Sequence, residues 1–332
     1  MSPTIAGLFE SDFLTGARRQ LASMGINAVR SSEGPLRAEL EAFGTVYAVA
    51  YFVCISRLLA EGRSIQERLN VFSDLQRQCC SAEARSVPFA KDLYLVLLAD
   101  EEAKQHPDFG DIQTRLEQDQ HYAKKIICSV EELDEWVGNP FRPVDIRANE
   151  QPLFTCLGKN SFQEEEVPRQ TPTDSLRNNQ VPRMLKDLEK RGNKLEVQKL
   201  TTKLLRRVLG AGYDVVWGAE LALGRIGDKR EIPVQFCSSG EQTAVAFSLF
   251  LALHHDQGMP GMCLEFMNAL NSLDTLRHLG ALDCIRDFAI ATGASIQYES
   301  VKTDLRDWAT RKIQPAMVSS SRIEEYLEDI RP

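Results

Sequence analysis

The chain has 332 residues, of which 43% are hydrophobic and 26% are charged, and its formal net charge is −8. This is the balance of an ordinary globular protein, and the length allows one large domain or two of common size. The acidic net charge argues against a chain built throughout as a nucleic-acid clamp. The 8 cysteines contain no Cys-x-x-Cys pair, and the 5 histidines are not at ligand spacing from them. We therefore expect reduced thiols and no metal site.

The first 90 residues predict a helical region. Ser11–Met24 is predicted to be a helix. Residues 35–61 are predicted to form a long buried helix, because proline stands near the start, Gly62 follows the end and the middle is apolar on nearly all sides. Ser64 and Glu67 have the spacing of a capping box at the start of a second helix, over 64–79. These two helices would pair as a helical hairpin.

Residues 91–165 predict a small α/β module. Asp92–Asp100 and Lys124–Ser129 are apolar runs typical of buried strands, and helical segments are predicted around them. The longest apolar run of the chain, Val46–Ile55, is too short to cross a bilayer. The first residues lack the basic start and apolar core of a signal peptide. We expect a cytoplasmic protein without a membrane partner.

Residues 166–182 are rich in proline, asparagine, serine and threonine, so they predict a linker. A second lobe over 183–318 opens with a basic helix, over 183–209, followed by short strands. The basic residues proposed to contact DNA phosphates are Lys199, Lys203, Arg206 and Arg207. The alternatives for this helix are a solvated surface and a surface for an acidic partner. Residues 319–332 predict a short acidic tail helix.

The stretch Cys237–Gln242 precedes an apolar run over 243–253. Ser238 and Ser239 can cap the helix that this run predicts, and the free amides of its first turn would then favour an anion. The candidate ligand-binding residues of this loop are Ser238, Ser239, Gly240 and Glu241. An ordinary capped core helix is the alternative.

An ordered series of elements follows this helix. A strand over 261–267 contains Glu265, a Leu273-Asp274 loop comes next, and a helix and another strand complete the series at residue 298. Together, Cys-Ser-Ser-Gly-Glu-Gln and this series resemble the C-terminal half of an ABC-type ATPase head, as found in SMC, RecF and related DNA-repair ATPases. The resemblance covers roughly residues 200–315. It implies a signature motif at 237–242, a Walker B strand with Glu265 as the catalytic residue that polarises the attacking water, and a D-loop.

The sequence departs from this family in the residues that handle the nucleotide. At the Walker B position for the Mg²⁺-holding Asp stands Leu264, which offers no oxygen ligand to a hard cation. The D-loop Asp would fall at Asn271 or Asp274. The segment Gln297–Ser300 stands where the family carries its switch His.

A P-loop is also incomplete. Leu157-Gly158-Lys159-Asn160 matches the opening of family P-loops, but these 332 residues contain no G-x-x-x-x-G-K-[ST]. Gly158 and Lys159 are therefore either a vestigial P-loop or a coincidence. Neither gives the triphosphate its glycine-rich cradle.

These observations predict an α/β protein made of a partial ABC-ATPase-like head, an N-terminal helical hairpin and a small α/β module. Our main hypothesis is a subunit of a DNA-maintenance or anti-phage defence complex that is not an active ATPase alone. Its signature loop would complete the site of a partner subunit, a P-loop-containing ABC or SMC ATPase, with ATP and Mg²⁺ shared between the two. Alternatives are a non-catalytic scaffold that joins an effector, and an independent ATPase that uses Gly158-Lys159.

Overall fold

The computed structural model describes residues 11–30, 34–42, 45–60, 64–86, 92–119, 123–141, 153–157, 193–218, 221–225, 228–257, 263–267, 270–300, 303–313 and 318–319. The chain divides into two compact units, Met1–Gly138 and Asn139–Pro332. Both units combine β-sheets with helices, so the predicted α/β class is confirmed. Within the described ranges, no helix combines the length and the apolar character that crossing a bilayer requires.

The first unit is built on a five-stranded mixed sheet in the order β1-β2-β3-β4-β5. The strands are β1 (Ala28–Arg30), β2 (Leu36–Ala42), β3 (Thr45–Cys54), β4 (Asp92–Leu98) and β5 (Lys124–Cys128). β1, β2 and β3 pair antiparallel, and β3, β4 and β5 pair parallel. The helices are α1 (Ser11–Ser23), α2 (Ser56–Ala60), α3 (Ile65–Ser86), α4 (Glu101–Lys104), α5 (Phe109–Gln118) and α6 (Leu133–Trp136).

The predicted long helix over 35–61 is wrong, because most of that segment forms the hairpin of β2 and β3. Strand β3 is buried on both faces: Val49 and Val53 lie in the core with Phe72 of α3, and Phe52 lies in the core with Leu21 of α1. A strand buried on both faces loses its alternation and cannot be told from a buried helix by periodicity. The β-branched and aromatic residues of the run were the signal for a strand.

The predicted division at residue 90 is also wrong. Phe52 of β3 lies opposite Val96 of β4 in a parallel pair, so the supposed helical region and the supposed module share one sheet. The first unit ends at Gly138, and the strand Leu153–Leu157 belongs to the second unit. The predicted linker over 166–182 lies outside the described residues. So does almost all of the predicted tail helix.

Several local predictions are confirmed. The strands predicted at 92–100 and 124–129 are β4 and β5, and the helix predicted at Ser11–Met24 is α1. The capping box at the start of α3 forms as expected, since the amide and hydroxyl of Ser64 donate to Glu67 Oε2 at 2.9 and 2.8 Å. Each of these signals is contained in a short stretch of chain.

The second unit contains a four-stranded parallel sheet in the order β10-β11-β6-β12 and a three-stranded antiparallel sheet β7-β8-β9. The strands are β6 (Leu153–Leu157), β7 (Tyr213–Trp217), β8 (Leu221–Arg225), β9 (Asp228–Pro233), β10 (Cys263–Met267), β11 (Ser295–Glu299) and β12 (Val318–Ser319). The helices are α7 (Lys194–Leu209), α8 (Ser239–Gln257), α9 (Thr275–Thr292) and α10 (Thr303–Ile313). A 3-10 turn, Val234–Phe236, joins β9 to α8.

The core of this unit lies on one face of the parallel sheet. Leu264 and Phe266 of β10 are buried with Ile296 of β11, and the Phe266 ring lies 6.0 Å from that of Phe247 in α8. Glu265 points to the opposite face and is exposed. Helices α7 and α9 approach closely at Gly280, where a Cβ would lie 2.3 Å from the Arg207 carbonyl oxygen. Only glycine fits there without a backbone shift.

Candidate functional site

The segment from Cys237 to Gln242 is the start of α8, as the sequence predicted. Ser238 is the cap residue: the amide of Glu241 donates to Ser238 Oγ at 3.3 Å, and the amide and hydroxyl of Ser238 donate to Glu241 Oε2 at 3.0 and 2.8 Å. This is a reciprocal capping box. The amides of Ser239 and Gly240 make no hydrogen bond within the described ranges. They are the free donors at the positive end of a 19-residue helix.

The side chains of this loop differ in exposure. Ser238 and Ser239 are exposed, whereas Gly240 is buried. A Cβ on Gly240 would lie 3.2 Å from the carbonyl oxygen of Ser272, in the loop between β10 and α9. Thr243 Oγ1 and Ser272 Oγ lie 2.6 Å apart, which ties the first turn of α8 to the same loop. The loop therefore exposes Ser238 and Ser239 on a backbone that is anchored inside the unit, and the Ser238 hydroxyl is engaged with Glu241.

Arg225 adds a positive charge that the sequence interpretation missed. Its Nη2 lies 3.2 Å from Glu241 Oε1, and its guanidinium lies 5.3 Å from the centre of the Tyr213 ring. Burial alone would raise the pKa of Glu241, but the hydrogen bonds from Ser238 and the contact with Arg225 outweigh it and lower the pKa below the ordinary value. The carboxylate is thus held ionised and turned toward Arg225. No local sequence pattern links β8 to α8.

Exposed apolar side chains precede the loop. Phe236 is 74% exposed and Ile232 is 40% exposed, and both lie in the segment that leads into Ser238. Large exposed apolar residues close together on a surface are typical of contacts with another protein. The sequence patterns give no role to Phe236. Its position directly before the capped helix was the available signal.

The Walker B-like strand is β10. Leu264, at the position where the family carries its metal-holding Asp, is 4% exposed in the apolar core. Glu265 lies opposite Gln297 of β11 on the exposed face. Asn271 Oδ1 accepts a hydrogen bond from Ser300 at 3.2 Å, and Asp274 caps α9 through the amide of Arg277 at 3.0 Å. Both candidate D-loop residues therefore have structural partners.

Gly158 and Lys159 lie outside the described residues. The strand before them, β6, lies between β11 and β12, and its last residue Leu157 is opposite Glu299. Glu299 is in turn opposite Met267 at the end of β10. The carboxyl ends of β6, β10 and β11 therefore lie at the same end of the sheet, the end at which open α/β sheets bind ligands.

The basic helix does not present all the residues proposed for DNA. The Arg207 guanidinium is buried and lies 2.7 Å from Asp287, so the prediction that it contacts phosphates is corrected. Arg206 lies 2.6 Å from Asp214. Lys199 and Lys203 line a cavity of about 390 Å³ together with the carboxylates of Glu196 and Asp256, which offset their charge. Contact of Lys199, Lys203 and Arg206 with DNA stays a prediction.

Among the described residues, no group of three or more histidines, cysteines and carboxylates is arranged to hold a metal ion. The free thiols are those of Cys54, Cys79, Cys128, Cys156, Cys237, Cys263 and Cys284. Leu264 also leaves β10 without the usual oxygen ligand for Mg²⁺.

No family model matches the chain, and no curated protein matches it. Among solved structures, the chain is similar to an SMC head bound to the C-winged helix domain of ScpA, with 11% identity and a TM-score of 0.29. The similar region covers 34% of this chain and 36% of that chain. A likeness of this size carries no functional conclusion.

Proposed function

We propose that this chain is a catalytically incomplete ABC/SMC-like head that works as a subunit. Its signature-like loop would complete the ATP site of a partner ATPase, and the partner would supply the P-loop and hold Mg²⁺. The observation that carries the proposal is the start of α8, where Ser238 and Ser239 are exposed beside the free amides of Ser239 and Gly240. A terminal phosphate is the ligand that such a helix start favours.

The order of the strands supports the same proposal. The Walker B-like strand β10, strand β11 and the strand that leads to Gly158 lie side by side and parallel in one sheet. Helix α8 packs on the loop that follows β10. These strands belong to one unit, and the sequence has a leucine at 264 and no G-x-x-x-x-G-K-[ST], which supports a head that does not hydrolyse ATP alone.

The exposed Phe236 supports a protein partner at this face. An exposed aromatic residue next to polar groups is the usual composition of a binding hot spot. We expect Phe236 to enter an apolar pocket beside the nucleotide of the partner. The surface would then be an interface with an ATPase subunit of a DNA-maintenance or anti-phage defence complex.

Reconstitution tests the proposal. The purified chain is mixed with the ABC-type ATPase encoded nearest to it, and ATP hydrolysis is measured with and without Mg²⁺. We expect the chain to raise the rate, Ser238→Arg and Phe236→Asp to abolish the increase, and Leu195→Asp to leave it unchanged. Leu195 is the control because it is also an exposed apolar residue, at 58%, but lies on α7.

A second test measures the binding of ATP and Mg²⁺ to the chain alone by calorimetry. We expect no binding without the partner. Tight binding by the chain alone would overturn the proposal and return attention to Gly158 and Lys159. If the Ser238→Arg variant raised the ATPase rate of the partner as much as the wild type does, the result would favour a scaffold. The burial of Gly240 against Ser272 supports that alternative.

A further inference from the structure

The loop between β10 and α9 is held by hydrogen bonds from buried polar side chains. His278, the fourth residue of α9, is fully buried, and its Nδ1 lies 3.3 Å from the carbonyl oxygen of Leu270. Its Nε2 lies 2.6 Å from the hydroxyl of Tyr298, which is 1% exposed. The Ser300 hydroxyl donates to Asn271 Oδ1 at 3.2 Å. Two separate contacts therefore hold the neighbouring residues Leu270 and Asn271, one from His278 and one from Ser300.

The contact with the Leu270 carbonyl determines which ring nitrogen of His278 carries a proton. A carbonyl oxygen can only accept, so Nδ1 of His278 must carry a proton and donate it. In a neutral imidazole, Nε2 is then the acceptor, and the hydroxyl of Tyr298 donates to it. The two contacts of His278 thus depend on each other, and an apolar substitution at His278 or Tyr298 leaves a buried polar group without its partner.

The loop held in this way is the one on which the signature-like segment lies. The carbonyl of Ser272 sets the closest approach of Gly240, and the Ser272 hydroxyl contacts Thr243 in the first turn of α8. Ser272 follows Leu270 and Asn271 directly in the chain. Displacement of Leu270 or Asn271 would therefore shift the support beneath Gly240.

We propose that His278 and Tyr298 are positioning residues, which hold the Leu270–Asp274 loop so that Ser238, Ser239 and the amide of Gly240 keep the geometry needed for a ligand. Only the last part of this inference, the ligand, rests on the proposed function. The positioning itself is a property of the chain alone. Packing does not require the hydroxyl of Tyr298, because a phenylalanine would fill the same space in the core.

Hydrogen exchange of the full chain, followed by mass spectrometry on the segment 237–243, tests the positioning. Tyr298→Phe removes the donor to His278. His278→Gln places an amide near the former Nε2 and loses the contact with Leu270, whereas His278→Asn places an amide near the former Nδ1 and can keep it. We expect Tyr298→Phe and His278→Gln to raise exchange in this segment about tenfold and His278→Asn to rescue it toward the wild-type rate.

The control is Ile285→Val, a buried change on the same helix α9 without a polar contact to the loop. Compared at matched global stability, it should leave exchange of 237–243 unchanged. Equal exchange in Ile285→Val and Tyr298→Phe, or no difference between His278→Gln and His278→Asn, would overturn the inference and leave His278 as a core residue only.

The ATPase reconstitution separates the two proposals. If exchange of 237–243 rises in Tyr298→Phe and the partner's apparent KM for ATP rises more than its kcat falls, both stand. If exchange rises while the partner's kinetics do not change, the positioning stands and the proposed function fails. If exchange does not change, the positioning fails whatever the kinetics show.

Discussion

Glu241 and Ser238 hydrogen-bond each other in both directions at the start of α8. Glu241 Oε2 accepts from the amide and the hydroxyl of Ser238, and the amide of Glu241 donates back to Ser238 Oγ. Two donors of the first turn are thereby satisfied within the chain. The remaining free amides, those of Ser239 and Gly240, are presented by a helix start that is already ordered.

Replacing Glu241 with lysine should lower the free energy of unfolding by about 1–2 kcal/mol, because it removes the reciprocal cap and places a positive charge at the positive end of the helix. Chemical denaturation measures the change. Glu196→Lys is the matched control: Glu196 lies in the first turn of α7, whose cap residue makes no side-chain cap hydrogen bond. We expect a loss of at most about 0.5 kcal/mol there. Equal losses in both variants would mean that the capping box contributes nothing.

The stability contributed by Glu241 should depend on pH. Its pKa in the folded chain is lowered, since the hydrogen bonds from Ser238 and the contact with Arg225 outweigh the effect of burial. A lowered pKa gives stability that is fully present above the ordinary Glu value of about 4.3 and is lost as the pH falls through the folded value. The difference in unfolding free energy between wild type and Glu241→Gln should therefore be largest near neutral pH and shrink below about pH 4. A difference that does not change with pH would contradict the ionised carboxylate.

Two helical glycines should respond to alanine with opposite signs. At Gly280 a Cβ would lie 2.3 Å from the Arg207 carbonyl oxygen, whereas at Gly110 nothing lies within 4 Å. We expect Gly280→Ala to destabilise by about 2–4 kcal/mol, since α7 and α9 must separate. Gly110→Ala should stabilise by about 0.5–1 kcal/mol through helix propensity. Thermal unfolding of both variants measures this, and a neutral Gly280→Ala would show that the two helices are not tightly packed.

The parts of the fold that the sequence predicts correctly are local. The capping boxes at Ser64 and Ser238 need only a Ser-x-x-Glu spacing before a helical run, and β4 and β5 need only a short apolar run. The sequence predicts a helix where β3 forms, because the burial of β3 on both faces depends on its packing against α1 and α3. A periodicity test sees the apolar run but not the two helical layers that cover it.

The candidate site shows the same limit. Arg225 and Ser272 contact the first turn of α8 from two other elements, and His278 holds the loop that carries Ser272, so no spacing in the sequence brings these residues together. Arg207 could have been recognised as less exposed, since it follows the buried Leu204 by three residues on one helix face. Its partner Asp287 is 80 residues away. The sequence shows that the helix is basic, but it does not show which of its cations form ion pairs with carboxylates elsewhere in the fold.

The pairing of Arg207 with Asp287 gives the last prediction. Asp287 is buried, and its two oxygens accept from Arg207 at 2.7 Å and from Arg286 at 3.1 Å. Removing one partner of a buried ion pair leaves an uncompensated charge, so Asp287→Ala should cost about 3–5 kcal/mol in urea denaturation. Asp287→Asn keeps one acceptor oxygen and should cost less.

The same pairing governs how DNA-binding experiments on this helix are interpreted. Arg207→Ala should lower stability because Asp287 loses one of its two buried cation partners, so a loss of DNA binding in that variant would reflect unfolding rather than a lost phosphate contact. Lys199→Ala is the informative variant, because its side chain is 61% exposed and its only close carboxylate in the described ranges, Glu196, is 3.8 Å away. If Asp287→Ala were as stable as the wild type, the buried ion pair would be contradicted. Arg207 would then again count as an exposed cation that can contact DNA.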